Sequence, residues 1–231
     1  MNFGELKELA RAYVTQAKVS AISNSLLALI LNEGALDVAW RTRAMKNRAN
    51  YDVGANQQDY SFAEYVPDLL LIDYPGIYWN NGDQYEQLDP VTFKWLDENF
   101  PHWRDADAAD PIYYAVRSNI VTYYPKPDTS LNDGFRVHYI RKPSTMSAEE
   151  DYPFHVKGSQ DEEIVTLKPL SELVLLYWES RALKILGKPQ ESAAKFAEYL
   201  QQVQEKSIIL GTRLDLNEGY LTKMKGPKIG R

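Results

Sequence analysis

The hydrophobic periodicity of the chain changes twice along its length, and this change constrains the fold more than any other feature. The first fourteen residues place apolar side chains at helical spacing, at Leu6, Leu9, Ala10, Tyr13 and Val14. From about residue 49 to 141 the period becomes two and turn residues multiply, which predicts antiparallel strands. Helical spacing returns at about residue 168. The sequence therefore predicts an α+β protein, in which residues 1–48 and 168–206 form a helical bundle around a mostly antiparallel β insertion, 49–141.

A second helix is expected to begin near Ser23 or Asn24 and to continue to about Arg48 as the longest helix of the chain. It carries two apolar faces. One face contains Ile22, Leu26, Leu29, Leu36 and Trp40, and the other contains Leu27, Leu31, Ala35 and Val38. Because a surface helix needs only one apolar stripe, two stripes indicate burial on both sides. The second contact is either with the subunit's own core or with a neighbouring subunit, and a central core helix explains the pattern at least as well.

Turn residues divide the β region. Pro75-Gly76 predicts a type II turn, Asn81-Gly82 a type I′ hairpin, and Ser118-Asn119 a tight hairpin between two short strands. Within this region Asp89 is expected to cap a short helix that starts at Pro90.

The segment 142–167 contains two acidic clusters and is predicted to be a long surface loop. A helix pair follows, with Gly187 as the stop between its members. One such pair is too little for a tetratricopeptide array. Residues 207–231 are predicted to form an extended C-terminal tail, whose last eleven residues carry four basic groups and no acid.

The residues that carry catalysis or metal binding are sparse. The chain has no cysteine and only three histidines, His102, His138 and His155, without the spacing of a metal pair. The acidic run from Asp105 to Asp110 does not follow a calcium-loop pattern. We therefore predict no catalytic residue, no cofactor and no metal, and the amphipathic N-terminus predicts no signal peptide or membrane anchor.

Sixteen tyrosines and five tryptophans support a competing hypothesis, a monomeric glycan-binding module. Its candidate residues are Tyr74, Tyr78, Trp79, Tyr85, Tyr113, Tyr114, Tyr123 and Tyr124. Core or interface packing explains these aromatic residues better, because strands and interfaces favour them. An uncharacterised hydrolase is a further alternative, for which the sequence nominates no residue. The net charge of −6 argues against a protein that grips nucleic acid.

Several phrases of the sequence, in their order, resemble bacteriophage head-to-tail connector (adaptor) proteins over about residues 22–205. They are LNEGALDVAWRTRA in the long helix, LDPVTFKWLDENFPHW, YPKPD, VHYIRKP and the closing helix pair. The resemblance implies a structural virion protein in the neck, assembled in the host cytoplasm as a ring of usually twelve copies beneath the portal. It also implies that the ring extends the DNA channel, with DNA as passing cargo, and receives a downstream neck, nozzle or tail protein.

Two sets of residues are candidates for these contacts. The long-helix face of Leu27, Leu31, Ala35 and Val38 is expected to pack against a ring neighbour. The tail is expected to dock on an acidic portal surface through Tyr220, Leu221, Lys223, Met224, Lys225, Lys228 and Arg231.

Overall fold

A computed structural model describes residues 1–13, 22–157, 164–166 and 168–215. It divides into two compact units, a helical unit from the described residues of 1–44 and 145–231, and a β unit from residues 45–144. The helices are α1 (Phe3–Tyr13), α2 (Asn24–Thr42), α3 (Phe62–Tyr65), α4 (Phe93–Asn99), α5 (Lys168–Ile185) and α6 (Pro189–Asp215). The predicted α+β class, with terminal helices around a central β region, is confirmed.

The strands are β1 (Lys46–Val53), β2 (Asp59–Ser61), β3 (Leu69–Asn80), β4 (Tyr85–Gln87), β5 (Asp89–Pro90), β6 (Tyr113–Arg117), β7 (Ile120–Tyr124), β8 (Leu131–Arg141), β9 (His155–Lys157) and β10 (Ile164–Thr166). Sheet A has the order β1-β8-β3-β4 and is antiparallel throughout. Sheet B has the order β2-β7-β6-β5, in which only β5 and β6 are parallel. The hairpin β9-β10 stands apart from both sheets.

Helix α2 begins as predicted, because the Ser23 hydroxyl accepts a hydrogen bond from the Leu26 N–H. Its predicted end at Arg48 is wrong. Arg43 adopts a left-handed conformation (φ 50°) that ends the helix, and from Lys46 onward the chain pairs with β8. Helix α2 is also not the longest, since it has 19 residues and α6 has 27.

The helical unit is held by close packing and by buried hydrogen bonds. Helix α2 packs against α5 and α6. Gly34 allows a close approach, because a Cβ built there would lie 2.9 Å from a ring carbon of Tyr177 and 3.3 Å from Val174. The buried indole of Trp178 on α5 donates to the Ala10 carbonyl of α1 at 2.8 Å. The terminal helices thus share one core.

The segment 142–167 is not the simple surface loop predicted, because it contains β9 and β10 and because part of it packs into the helical unit. Met146 and Phe154 are buried. The Asn32 side chain exchanges two hydrogen bonds with the backbone of Met146, at 3.1 and 2.8 Å. The Phe3 N–H at the start of α1 also donates to the Asp151 carbonyl. Helix α6 likewise continues to Asp215, so residues 207–215 are helical and not extended.

The β unit has a layered structure. Side chains from the inner face of sheet A and from sheet B form one aromatic core, in which the Phe135 ring stacks on the Tyr123 ring at 3.6 Å. On the other face of sheet B lies a second cluster, formed by Leu96 of α4, Trp103 and Ala115. Sheet B therefore lies between sheet A and the α4 layer.

Three predictions of local structure in this unit have different outcomes. The hairpin at Ser118-Asn119 is confirmed, with Ser118 at φ 57°. Pro75-Gly76 forms no turn between strands: it lies within β3, where the register shifts, and Gly76 takes φ +97°. The hairpin at Asn81-Gly82 exists but has a four-residue loop, because the Asn81 N–H donates to the Gln84 carbonyl.

The short helix of the β unit also starts later than predicted. Asp89 and Pro90 pair with β6, and Thr92 caps α4 by accepting from the Trp95 N–H. None of the helices in the described ranges is long and apolar enough to cross a bilayer.

Candidate assembly surfaces

The largest apolar side chains exposed on α2 form a stripe on its outer side. Leu29 is 55% exposed, Leu36 44% and Trp40 53%. These residues are seven and four positions apart, which places them on one side of the helix over about 16 Å. We call this set the α2 stripe. Because these apolar side chains are exposed in one row on one helix, they form a candidate surface for a protein partner.

The opposite side of α2 forms the core of the helical unit. The four side chains predicted to pack against a ring neighbour are at most 2% exposed, namely Leu27, Leu31, Ala35 and Val38. Because these side chains have almost no exposed surface, a second subunit cannot contact them. The structure therefore replaces this candidate set with the α2 stripe.

A polar network fixes α2 beside the stripe. The Asp37 carboxylate accepts from the Tyr199 hydroxyl of α6 at 2.5 Å and from the Arg41 Nε at 2.7 Å. Burial and the hydrogen bond to Asp37 raise the pKa of Tyr199, so its hydroxyl stays a donor. The Tyr199 ring packs edge-on against Tyr177 of α5 at 5.6 Å. The end of α2 that carries Trp40 is therefore held rigidly against α5 and α6.

Two shallow grooves lie along α5 and α6. The first, of about 350 Å³, contains Arg181, Lys184 and Phe196 among its lining residues. The second, of about 330 Å³, is lined in part by Glu172, Glu179 and Glu198. All three of these carboxylates are paired with lysines, Glu172 with Lys206 and the other two with Lys195. Lysine–glutamate pairs of this kind are common on the surfaces of helix pairs and contribute little to stability.

The candidate glycan-binding aromatic residues are mostly structural. Trp79 is 1% exposed, and its indole N–H donates to Asp110 at 3.1 Å. Tyr114 and Tyr123 lie in the aromatic core, and burial raises the pKa of Tyr114 to about 12. Tyr113 and Tyr124 are half-buried against the rings of α4 and Phe100. Tyr78 and Tyr85 lie on the outer face of sheet A, and the Tyr74 side chain lies outside the described residues.

The outer face of sheet A is a surface that the sequence did not nominate. Arg48 pairs with His138, and Arg136 lies between Asn50 and Tyr78 across the sheet. The Arg136 guanidinium lies 3.6 Å above the Tyr85 ring, and its Nε donates to the Asn50 amide oxygen at 3.0 Å. This face carries Arg48, Arg136 and His138 together with the exposed Asp52, so both signs of charge are present on it. Its signal in the sequence is the row of polar residues Lys46, Arg48, Asn50 and Asp52 at alternate positions of β1.

The opposite side of the β unit carries mostly acidic groups. Asp97, Glu98, Asp105 and Asp107 are all exposed on or after α4. Glu98 pairs with Lys94 at 3.6 Å, and Asp97 accepts from the Trp103 indole at 2.8 Å. We call this surface the acidic layer.

The remaining candidates are placed as follows. His102 is exposed, His138 contacts the Tyr78 ring, and the His155 side chain lies outside the described residues. In the described part of the chain, no three metal-ligating side chains come together. The seven candidate portal-docking residues, from Tyr220 to Arg231, also lie outside the described residues.

Comparison with known proteins gives one family. The family model described as SU10 adaptor protein matches residues 1–216, which is most of the chain. No curated protein matches the chain. The family match confirms the resemblance to phage head-to-tail adaptors that the sequence phrases carry.

Proposed function

We propose that this chain, which belongs to the SU10 adaptor protein family of phage head-to-tail adaptors, forms a ring beneath the portal. The family makes it a structural component of the virion. The ring is expected to contain twelve copies, to lie in the neck, to extend the DNA channel and to receive a downstream neck, nozzle or tail protein.

The observation that carries the proposal is the α2 stripe. Leu29, Leu36 and Trp40 leave an apolar row open along a helix that the Asp37–Tyr199 hydrogen bond holds in place. A rigid apolar surface loses little conformational entropy when a partner covers it. In a ring, each such surface is covered by a neighbouring copy.

The charge of the chain agrees with a channel through which DNA passes. A net charge of −6 gives the protein no general attraction for phosphates, so a ring of such subunits does not hold the DNA during transit. For the portal contact we propose the basic C-terminal residues, from Tyr220 to Arg231.

The test is the mass of the purified full-length chain, measured alone and after mixing with the portal protein of the same phage. We expect a closed oligomer, either alone or bound to the portal, and coelution of the two proteins. A chain that remains monomeric and separates from the portal at micromolar concentrations would refute the proposal.

Glycan binding is not proposed. Trp79, Tyr114 and Tyr123 lie in the core, where no sugar can stack on them without unfolding the β unit.

A further inference from the structure

The α2 stripe and the second groove of the helical unit face in opposite directions. Gly34 of α2 packs against Val174 and Tyr177 of α5. Leu36 lies two positions beyond Gly34, and two positions turn an α-helix by about 200°, so the stripe points away from α5. By the same count Leu176, which lines the second groove two positions beyond Val174, points away from α2. The helical unit therefore carries the stripe on one side and this groove on the other.

The second groove combines apolar side chains with hydrogen-bonding groups. Its apolar lining residues are Tyr13, Leu175 and Leu176, and Gln202 of α6 lines it together with the glutamates described above. We call it the α5 groove. Tyr13 at the end of α1 is 58% exposed, so a partner that enters the groove covers apolar surface there.

We propose that the α2 stripe of one subunit packs into the α5 groove of the next subunit in the ring, with Trp40 as its central side chain. This inference rests on the proposed function, which supplies the ring, and it adds the surface that covers the stripe. In a ring of about twelve copies, neighbouring subunits are rotated by about 30°, so the two contact surfaces of each copy face nearly opposite directions. The stripe and the α5 groove meet this condition.

Trp40 suits a groove of this chemistry. A tryptophan in a well-packed pocket is a frequent centre of a protein interface. The indole N–H of Trp40 has no hydrogen-bond partner among the residues that the structure describes, and a covered indole N–H needs an acceptor. Glu179 and Glu198 of the α5 groove are both paired with Lys195. Because a carboxylate can accept about four hydrogen bonds, these ion pairs leave acceptor positions open for the indole.

The contact depends on apolar packing and not on net charge, because charges of both signs border the stripe. Glu33 and Arg43 are exposed beside it, and Asp37 pairs with Arg41. Salt screens exposed charges but does not weaken the burial of apolar surface. We therefore expect the protein concentration for half-maximal ring assembly to change by less than about threefold between low and high sodium chloride.

The first groove is oriented less well for this contact. Arg181, which lines it, lies four positions beyond Tyr177 and hence on the side of α5 that faces α2. A neighbour bound there would approach from the same side of α5 as a neighbour bound to the stripe. Such an arrangement does not continue head to tail around a ring.

The test uses pairs of engineered cysteines, which are the only thiols of the protein because the natural chain has none. The variant E33C with Q202C places one thiol beside the stripe and one in the α5 groove. With a short bismaleimide, and with portal present if the ring needs it, we expect a ladder of covalent oligomers that ends at the size of the ring. An equal mixture of the two single-cysteine variants should give covalent dimers only. The matched control E33C with A193C, which moves the second thiol to the first groove, should give no ladder.

A second measurement does not depend on cross-linking. Q202W fills the α5 groove, so we expect the concentration for half-maximal assembly to rise at least about tenfold. A193W puts the same side chain in the first groove and should assemble to within about threefold of the wild type. Circular dichroism and thermal unfolding of each variant check its fold.

The outcomes separate the two proposals. If the wild type forms rings but E33C with Q202C gives no ladder, or if the ladder appears with A193C instead, the α5 groove is not the partner of the stripe and the ring remains. A rise of more than about tenfold in the assembly concentration at high salt would mean that charges carry the contact, which also refutes the inference. If the wild type forms no ring with or without portal, the proposed function fails and the inference fails with it.

Discussion

Replacement of Trp40 by Ala tests whether the α2 stripe is a subunit contact. The side chain is 53% exposed in the single chain. A fully covered aromatic side chain buries about 200 Å², so a partner could cover about 100 Å² of Trp40. At about 25 cal/mol per Å², this area contributes about 2.5 kcal/mol to each contact, or roughly a 60-fold change in its equilibrium constant. Leu36, at 44% exposed, is expected to contribute about 1 kcal/mol on the same basis.

The assay is the concentration dependence of ring formation for wild type, W40A, L36A and the control L9A, measured by sedimentation velocity. Leu9 on α1 is exposed to a similar degree, 38%, and does not belong to the stripe. Thermal unfolding of the monomer serves as a second readout. Because about half of each side chain packs on its own subunit, the same area basis gives an upper estimate of about 2.5 kcal/mol for the loss of unfolding free energy in W40A and about 1 kcal/mol in L36A.

Two results would show that this reasoning is wrong. In one, W40A and L36A assemble at the same concentration as L9A, which would mean that no partner covers the stripe. In the other, W40A weakens assembly only under conditions in which its monomer is partly unfolded, which would mean that Trp40 supports its own subunit and contacts no partner.

Three further predictions concern stability and docking. Phe135 is fully buried in the β unit, so F135A should reduce the free energy of unfolding by about 3–5 kcal/mol, as measured by urea denaturation. F135L should reduce it by less, and equal losses in the two variants would argue against a contribution from the aromatic contacts. Hydrogen bonds from the Ser147 and Ala148 N–H groups lower the pKa of Asp151 below its ordinary 3.8. The stability that these bonds add is therefore present above pH 3.8 and is lost as the pH falls through the lowered pKa. In D151N, which has no carboxylate to protonate, the loss of stability over this pH range should be smaller in an acid-unfolding experiment. Deletion of residues 216–231, which leaves α6 intact, should abolish portal binding in a pull-down and leave ring formation unchanged; undiminished binding would exclude the tail as the docking segment.

The local signals of the sequence predict the order of elements well. The Ser23 cap, the β6-β7 hairpin and the return of helical spacing after residue 168 all depend on residues close together in the chain. The end of α2 could not be predicted in this way. A left-handed arginine is unusual, and the pairing partner that makes Lys46 the start of a strand is Ile140, which lies far along the chain.

The choice between the two faces of α2 shows why the predicted interface residues differ from the observed stripe. Both faces are apolar, so hydrophobicity alone does not decide which one is buried. Gly34 is the signal that decides it, because it lies on the same side as Leu27 and Leu31 and its lack of a side chain admits Tyr177 of α5. The side of α2 with the small residues packs closest to its own core, and the side with the bulky residues remains exposed.

The net charge of the chain also does not show where its charged residues lie. A total of −6 correctly weakens the case for a DNA-gripping protein, but it is an average over the chain. The register of β1 with β8 places Arg48, Asp52 and Arg136 on one outer face of the β unit, while most of the exposed charged residues on and after α4 are acidic. The sheet register therefore shows which charged side chains share a surface, which the net charge of the chain does not show.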